Sequence, residues 1–221
     1  MAQNIMKDPT LYFKVGELKR LFDYIKKKNI GHYTLFFVLY HTGRRTSELT
    51  YLRVNDIDFD KGQIVWRILK RREYIMIKPK EEDKEGKVKW VKKRDEKGNL
   101  IKKIIKRRID AKKEVLKVLK AYIDSMELEK QERVFPMSRQ NVFKVFKRYC
   151  KKLDMNKMLS PHSLRHSFAI HFVEANPNMN SEQASALQHY LQHKNIDSTY
   201  CYLQFDKDKY KESLEKMPKI Q

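Results

Sequence analysis

The spacing of apolar residues constrains the fold of this 221-residue chain more than any other feature. Most segments repeat their apolar residues every three or four positions, which predicts amphipathic or buried helices. Residues 58–80 differ, because Ile64, Trp66 and Ile68 alternate with more polar neighbours and 74–78 form a second strand-like run. The sequence therefore predicts an α+β, mostly α fold: one helical bundle with a small antiparallel β-sheet.

Cap residues and turn glycines predict where the helices begin and end. Gly31 and Gly43 are expected to break or end helices, whereas Ser138, Ser160 and Ser181 are expected to cap helix N-termini. The segments with helical spacing are 11–28, 33–40, 44–52, 110–123, 138–153, 160–175, 181–191 and 206–216.

The formal net charge of +21 points to a polyanionic partner, with nucleic acid expected before an acidic membrane surface. Lysine and arginine are densest at 81–108, where Gly86 and Gly98 mark turns. We interpret this segment as an extended basic hairpin or loop. Since such dense like charges repel one another, it is expected either to be mobile or to lie along phosphates.

Several classes of protein are disfavoured by the composition. The N-terminus lacks the pattern of a secretory signal, and no apolar run is long enough to span a bilayer. Cys150 and Cys201 are the only cysteines, which excludes a disulfide framework and a four-cysteine zinc site. The protein is therefore predicted to be cytoplasmic.

Two segments carry basic residues in positions suited to bind a phosphate. Ser160–Pro161 is a good helix start, and His162 and Arg165, at i and i+3 one turn later, should leave one helix face. An imidazole and a guanidinium near a helix N-terminus favour an anion. Arg45 lies at a second predicted helix start, where the dipole disfavours a cation, and residues placed against a local rule are often functional.

Three motifs in order resemble the tyrosine recombinases, the phage-integrase and Xer-type DNA strand-exchange enzymes. TGRRTSEL at 42–49 is similar to the family's T-G-x-R-x-x-E-L box, and HSLRHSFA at 162–169 to its H-x-L-R-H-[ST]-F-A box. LQH at 191–193, followed nine residues later by Tyr202, resembles L-G-H and the nucleophile. The resemblance covers nearly the whole chain and implies the tyrosine recombinase catalytic-domain fold.

The resemblance assigns a role to each matched residue. Tyr202 would attack a DNA phosphorus to form a 3′-phosphotyrosyl link, and Arg45 and Arg165 would hold the non-bridging oxygens. His162 and His193 would hydrogen-bond the phosphate and handle the proton of the nucleophile. Because a free tyrosine has a pKa of ~10, it needs such a base or positive field at neutral pH. The link conserves phosphodiester energy, so no cofactor, metal or ATP is expected.

Two positions of the resemblance are less direct. A lysine on the sheet would protonate the leaving oxygen: Lys70 continues the face of the alternating strand and matches best, and Lys78 is the alternative. Gln192 stands where the family usually has glycine. Among nearby tyrosines, Tyr200 has the wrong spacing from the histidine, whereas two others are predicted to be packing residues, Tyr190 and Tyr210.

The resemblance also predicts domain organisation and partners. Residues 1–10 would be an N-terminal tail and 11–221 the catalytic domain, with the sheet and basic hairpin at 64–109 and a C-terminal tail helix at 206–221. The family's helical DNA-clamping domain has no counterpart here: the chain would be a minimal recombinase, a fragment, or, as we favour, one that grips DNA with its basic hairpin. The expected partner is double-stranded DNA, bound by a homotetramer, with the tail docking on a neighbouring subunit.

Alternative functions follow from the same residues. His162 with His166, and His189 with His193, form i,i+4 pairs that could grip zinc, although no H-E-x-x-H and no carboxylate at ligand spacing accompany them. A non-catalytic DNA-binding protein and a type IB topoisomerase are the other candidates, because the first needs only the basic charge and the second shares the cleavage chemistry. The target sequence cannot be predicted from the chain.

Overall fold

The computed structural model describes residues 11–68, 76–77, 91–96, 98 and 105–192. Within these ranges the chain is mostly helical, as the apolar spacing predicts. The α-helices are α1 (Val15–Lys28), α2 (Ile30–Thr42), α3 (Thr46–Leu49), α4 (Lys113–Ser125), α5 (Arg139–Lys152), α6 (Pro161–Glu174) and α7 (Ser181–Leu191). A short 3₁₀ helix covers Val54–Asp56.

Helix α2 lies at the centre of the bundle. It packs against α1, α4 and α6, and its side chains are apolar nearly all round, so that Leu35, Phe36 and Leu39 are buried. The amphipathic helices around it each bury one stripe, such as Leu18, Leu21 and Ile25 of α1. The predicted central core helix is therefore confirmed.

The small sheet contains three antiparallel strands in the order β1-β2-β5. These are β1 (Ile57–Asp58), β2 (Gln63–Ile68) and β5 (Ile105–Asp110). In β2 the three predicted core residues, Ile64, Trp66 and Ile68, are buried and alternate with half-buried neighbours. A separate pair joins β3 (Met76–Ile77) to β4 (Val91–Lys92). The rest of the predicted basic hairpin, and the predicted helix at 206–216, lie outside the described residues.

Two predicted helix starts are wrong because an asparagine provides the cap. Asn29 Oδ1 accepts a backbone N–H of the first turn of α2 at 2.8 Å, so Gly31 lies inside the helix instead of interrupting the chain. Asn180 Oδ1 accepts the N–H of Gln183 at 2.8 Å, so Ser181 is the first helical residue of α7 and not its cap. Both positions follow the general preference for short polar side chains at the N-cap.

Two further boundaries differ because tertiary contacts hold the backbone extended. Asp110 does not begin α4, since it pairs with Gln63 as the last residue of β5, and α4 begins at Lys113. The first helix begins at Val15, later than its spacing predicts, and Phe13 N–H donates to Ser167 Oγ at 2.8 Å. This hydrogen bond ties the segment before α1 to α6. No helix in the described ranges is long and apolar enough to cross a membrane.

Candidate active site

The end of α2 places the first predicted site arginine. Gly43 has a left-handed backbone (φ 58°), which ends the helix as predicted. A Cβ at this position would lie 2.8 Å from a ring carbon of Phe168 and 2.9 Å from a methyl carbon of Leu191. Glycine is therefore required here both by the backbone conformation and by the close approach of α6 and α7. Two residues later the chain reaches Arg45.

Arg45 is the N-cap residue of the one-turn helix α3, the unfavourable electrostatic position that the sequence predicts. The carboxylate of Glu48 offsets this unfavourable interaction. Its Oε1 accepts from Arg45 Nη1 at 3.0 Å, and its Oε2 accepts the backbone N–H of Arg45 at 3.1 Å. Glu48 is buried, whereas the Arg45 side chain keeps 18% of its surface exposed. The guanidinium is thus held in a fixed position and remains accessible.

The N-terminus of α6 supplies the second predicted group. Pro161 is its first residue, as predicted, but the cap contact differs: Ser163 Oγ accepts the backbone N–H of Ser160 at 3.1 Å, and the Ser160 hydroxyl makes no cap hydrogen bond. His162 is half-buried in this first turn. Its ring meets that of His166 edge-on, with 4.6 Å between the centroids.

Arg45 and His162 line one cleft, although the motifs that contain them are far apart in the sequence. The cleft has a volume of about 260 Å³. Hydroxyl groups and a second arginine, from α5, contribute to its walls. The lining residues are Arg45, Thr46, Ser47, Arg139, Phe143, Ser160, Pro161 and His162. Guanidinium, imidazole and hydroxyl groups beside the N-terminus of a 14-residue helix favour an anion of the size of a phosphate.

Arg165 lies deeper than His162 and is only 2% exposed. Its Nη1 donates to the carbonyl of Gly43 at 2.6 Å, and its Nη2 donates to the carbonyl of Leu191. It is not one of the cleft-lining residues. The structure therefore brings Arg165 to the backbone turn that leads to Arg45, where it joins this turn to the end of α7.

Arg44 is a buried residue next to Arg45 to which the sequence analysis assigned no role. It is 1% exposed, its Nε donates to the Thr42 carbonyl at 3.3 Å, and its Nη2 donates to the Tyr190 carbonyl. The guanidinium carbon lies 5.1 Å from the ring centroid of Tyr190 and 5.7 Å from that of Trp66. Burial lowers the pKa of Arg44 to about 10, so it stays charged at neutral pH. Only its place in the TGRRTSEL motif could have drawn attention to it.

The end of α7 lies against these arginines. Gln192, at the position where the resemblance predicts glycine, adopts a left-handed backbone (φ 57°). Tyr190 packs as predicted, with its ring stacked 5.5 Å from that of Phe168. The remaining predicted site residues lie outside the described residues: Lys70 with its alternative Lys78, His193 and Tyr202. So do the two other tyrosines that the sequence analysis weighed, Tyr200 and Tyr210.

A metal centre gains no support from the described part of the chain. Within it, no three histidine, cysteine, aspartate or glutamate side chains come together in a way that could hold a metal ion. His162 and His166 are adjacent, but two ligands fall short of the four that a structural zinc ion takes.

The sequence model of the phage integrase family matches residues 12–209. The chain belongs to the phage integrase family. The XerA tyrosine recombinase of Pyrococcus furiosus is 27% identical over 200 residues, covering 90% of this chain and 59% of the relative. That of Thermococcus kodakarensis is 28% identical over 206 residues, covering 93% and 62%. This integrase-family chain thus spans about three fifths of the length of these two relatives.

Solved structures of family members share the fold. A crystal structure of XerA recombinase has a TM-score of 0.62 at 19% identity, covering 95% of this chain and 65% of that one. The Tn1549 transposon integrase, bound to transposon right end DNA, has a TM-score of 0.65 at 20% identity, covering 96% and 67%. For the catalytic domain of bacteriophage HP1 integrase the TM-score is 0.56 at 18% identity, covering 94% and 95%. The predicted tyrosine recombinase catalytic-domain fold is confirmed.

Proposed function

We propose that residues 11–221 form the catalytic domain of a site-specific DNA recombinase or integrase that breaks and rejoins strands through a 3′-phosphotyrosyl intermediate, without metal or ATP. The observation that carries the proposal is the cleft in which Arg45 and His162 meet at the N-terminus of α6. These are two residues of separate family motifs, and the packing of α3 against α5 and of α5 against α6 joins their segments in space.

The cleft would hold the scissile phosphate. Arg45 presents a fixed guanidinium, because Glu48 engages it at 3.0 Å, and His162 can donate a hydrogen bond to a non-bridging oxygen. Arg165 would be the second arginine of the phosphate site: it does not line the cleft itself, and the carbonyls of Gly43 and Leu191 orient its fork by accepting from Nη1 and Nη2. Phosphoryl transfer places charge on the equatorial oxygens, so two prepositioned arginines stabilise the transition state without a metal ion.

The reaction requires a nucleophile, a base and an acid. In the proposal the Oη of Tyr202 forms the new bond to phosphorus while the bond from phosphorus to the 5′ oxygen breaks. The phenolic proton passes to His193 or His162, and Lys70 (or Lys78) protonates the departing 5′ oxygen. In the reverse step a 5′-hydroxyl of another strand attacks the phosphotyrosine and releases the tyrosine.

Double-stranded DNA is the proposed partner. The net charge of +21 would attract it and make its binding strongly salt-dependent. Related proteins have been seen in such complexes: the XerH recombinase bound to its difH substrate, and the Tn1549 integrase bound to transposon DNA. Strand exchange joins two sites, so we propose a homotetramer on DNA, acting in the cytoplasm.

Covalent trapping tests the proposal. Wild type, Tyr202→Phe and the matched control Tyr200→Phe would be incubated with nicked duplexes that carry candidate target sites, in chelator and without ATP. We expect an SDS-resistant protein–DNA adduct with wild type and with Tyr200→Phe and none with Tyr202→Phe, because only the former two retain the proposed nucleophile.

Other results would favour the alternative functions. An adduct that survives in Tyr202→Phe would contradict the choice of nucleophile. Binding without an adduct, on a sequence-random pool as well, would favour a non-catalytic DNA-binding protein. Relaxation of supercoiled DNA by a monomer, with no exchange between two sites, would favour a topoisomerase.

A further inference from the structure

We propose that Arg44 is a positioning residue for strand cleavage, because it fixes the end of α7 against the turn that carries Arg45. The inference rests on the proposed function for the identity of the reaction. It concerns a residue that contacts neither the cleft nor, in the proposed mechanism, the phosphate.

A helix leaves the carbonyls of its last turn without partners inside the helix. In α7 these carbonyls belong to four consecutive residues, 188–191. The N–H of Gln192 accounts for the first two, since it bonds the carbonyls of Gln188 and His189. Arg44 donates to the carbonyl of Tyr190 and Arg165 to that of Leu191. Two buried guanidinium groups thus complete the capping of this helix.

The same two arginines also bond the turn after α2. Arg44 Nε donates to the Thr42 carbonyl at 3.3 Å, and Arg165 Nη1 donates to the Gly43 carbonyl at 2.6 Å. We call Arg44 and Arg165 the arginine pair. Each member joins one carbonyl of the turn to one carbonyl at the end of α7. The pair therefore fixes the distance between two segments that the sequence separates by 146 residues, from Arg44 to Tyr190.

Both joined segments lead directly to proposed catalytic residues. The turn ends at Arg45, and Gln192 at the end of α7 is followed in the sequence by His193. A loss of the Arg44 contacts would release one of the two arginine hydrogen bonds that, within the described residues, hold the end of α7. Since a displacement of about 1 Å can cost about 100-fold in rate, this release would slow cleavage without removing any group that binds the phosphate.

The surroundings of Arg44 hold its guanidinium in one position. Its guanidinium contacts the rings of both Trp66 and Tyr190, and the residue is 1% exposed. An apolar side chain of similar length would keep these ring contacts and leave the Tyr190 carbonyl without this donor. Such a substitution therefore separates the effect of losing the hydrogen bonds from the effect of losing the packing.

The full-length chain would be compared as wild type, Arg44→Met, Arg44→Lys and Arg20→Met. Methionine keeps most of the packing, and lysine keeps the charge but cannot reproduce the two-carbonyl fork. Arg20→Met is the matched control, because Arg20 Nη2 also donates to a carbonyl at a helix end, that of Leu153 at 2.5 Å, but on the exposed surface. Melting temperature confirms that each variant folds.

Two quantities would be measured. The first is the single-turnover rate of adduct formation on a nicked target duplex, beside the Kd for the same DNA. The second is amide hydrogen exchange of residues 188–192 in the free protein. For Arg44→Met we expect adduct formation to slow by about 100-fold, the Kd to stay within about twofold of wild type, and exchange at 188–192 to rise. For Arg44→Lys the rate of adduct formation and the exchange at 188–192 should lie between those of wild type and Arg44→Met. Arg20→Met should match wild type in both.

The inference is overturned if Arg44→Met forms adduct at the wild-type rate, whether or not its exchange changes. It is also overturned if exchange at 188–192 stays unchanged, if Arg20→Met slows equally, or if the loss in rate is matched by an equal loss in affinity. If wild type itself forms no adduct, the proposed function fails, and the exchange data alone decide whether Arg44 holds the end of α7. If Arg44→Met does not fold, Arg44→Lys decides by the same criteria.

Discussion

The ends of α2 and α7 share one backbone conformation and differ in the residue that adopts it. Gly43 has φ 58° and Gln192 has φ 57°. Left-handed backbone costs an L-residue about 1–2 kcal/mol relative to glycine. At Gly43 the neighbours exclude a Cβ, because two side-chain carbons lie within 3 Å of where it would be. At Gln192 a whole side chain is accommodated.

The difference shows that the backbone conformation and the packing impose separate demands. A left-handed C-terminal residue favours glycine, and crowding makes glycine obligatory. The Gln192 amide is buried and has no hydrogen-bond partner among the described residues, so its side chain adds a polar cost to the backbone cost. The two ends therefore differ in how much a substitution should change the free energy of unfolding.

The largest effect is expected from Arg165, which bonds both helix ends. Arg165→Met removes the donors to the carbonyls of Gly43 and Leu191, both in the buried interior. At roughly 2 kcal/mol for each stranded carbonyl, the free energy of unfolding should fall by about 4 kcal/mol. Urea denaturation measures it. The control Arg20→Met, which removes one exposed bond, should lose less than about 1 kcal/mol. Equal losses in both variants would contradict the bridging role.

Gly43→Ala tests whether crowding at the end of α2 makes glycine obligatory there. The added methyl group would meet Phe168 and Leu191 and would force a left-handed backbone on alanine. We expect a loss of about 2–3 kcal/mol in the free energy of unfolding. Gly16→Ala is the control, since Gly16 lies in α1 with no atom within 4 Å of its Cβ position, and it should gain about 0.5–1 kcal/mol. A tolerated Gly43→Ala would mean that α6 and α7 can move apart.

Acid should destabilise the end of α2 through His41. Burial, reinforced by the charge of Lys112 and opposed by that of Glu114, lowers the pKa of His41, in the last turn of α2, to about 4. Between about pH 6.5 and 4 the unfolded chain therefore binds a proton that the folded chain refuses, so stability is complete above this window and falls as the pH drops through it. Because the ring is only partly buried, we expect about 1–2 kcal/mol.

His41→Gln isolates this contribution. Burial also lowers the pKa of His32 and His171, so wild type should lose stability with acid for more than one reason. The difference between wild type and His41→Gln, measured by urea denaturation at several pH values, contains the His41 part alone. A difference that does not change between pH 7 and 4 would contradict the buried, neutral state of the ring.

The smallest effect is expected at Gln192, where Gln192→Gly restores the residue that the family usually has. Relief of the left-handed strain is partly offset by the greater freedom of glycine in the unfolded chain, so we expect a gain of about 0.5–1 kcal/mol. Thermal denaturation at neutral pH measures it, with Gln188→Gly inside α7 as a control that should lose about 1 kcal/mol. A loss at Gln192 would show that its side chain makes a stabilising contact.

Local chemistry is what the sequence predicts well. The alternation of Ile64, Trp66 and Ile68 predicts a strand, and the apolar run at 33–40 predicts the central helix, because burial follows the period of each structure. Gly43 predicts the end of α2 for the same kind of local reason. The sequence is less informative at Asn29 and Asp110, where a competing cap and a strand partner 47 residues away in the sequence decide the boundary.

The adjacent residues Arg44 and Arg45 mark the limit of what a sequence determines by itself. The chain alone determines that two cations follow the glycine, that His162 lies in the first turn of a helix, and that the family motifs occur in order. Only the tertiary structure buries Arg44 against Tyr190 while Arg45 lines the cleft with His162. The physical reason is that α7 supplies the carbonyl and ring of Tyr190, and α6 supplies His162, from more than a hundred residues away. The local spacing of apolar residues does not encode which of two neighbouring side chains will contact them.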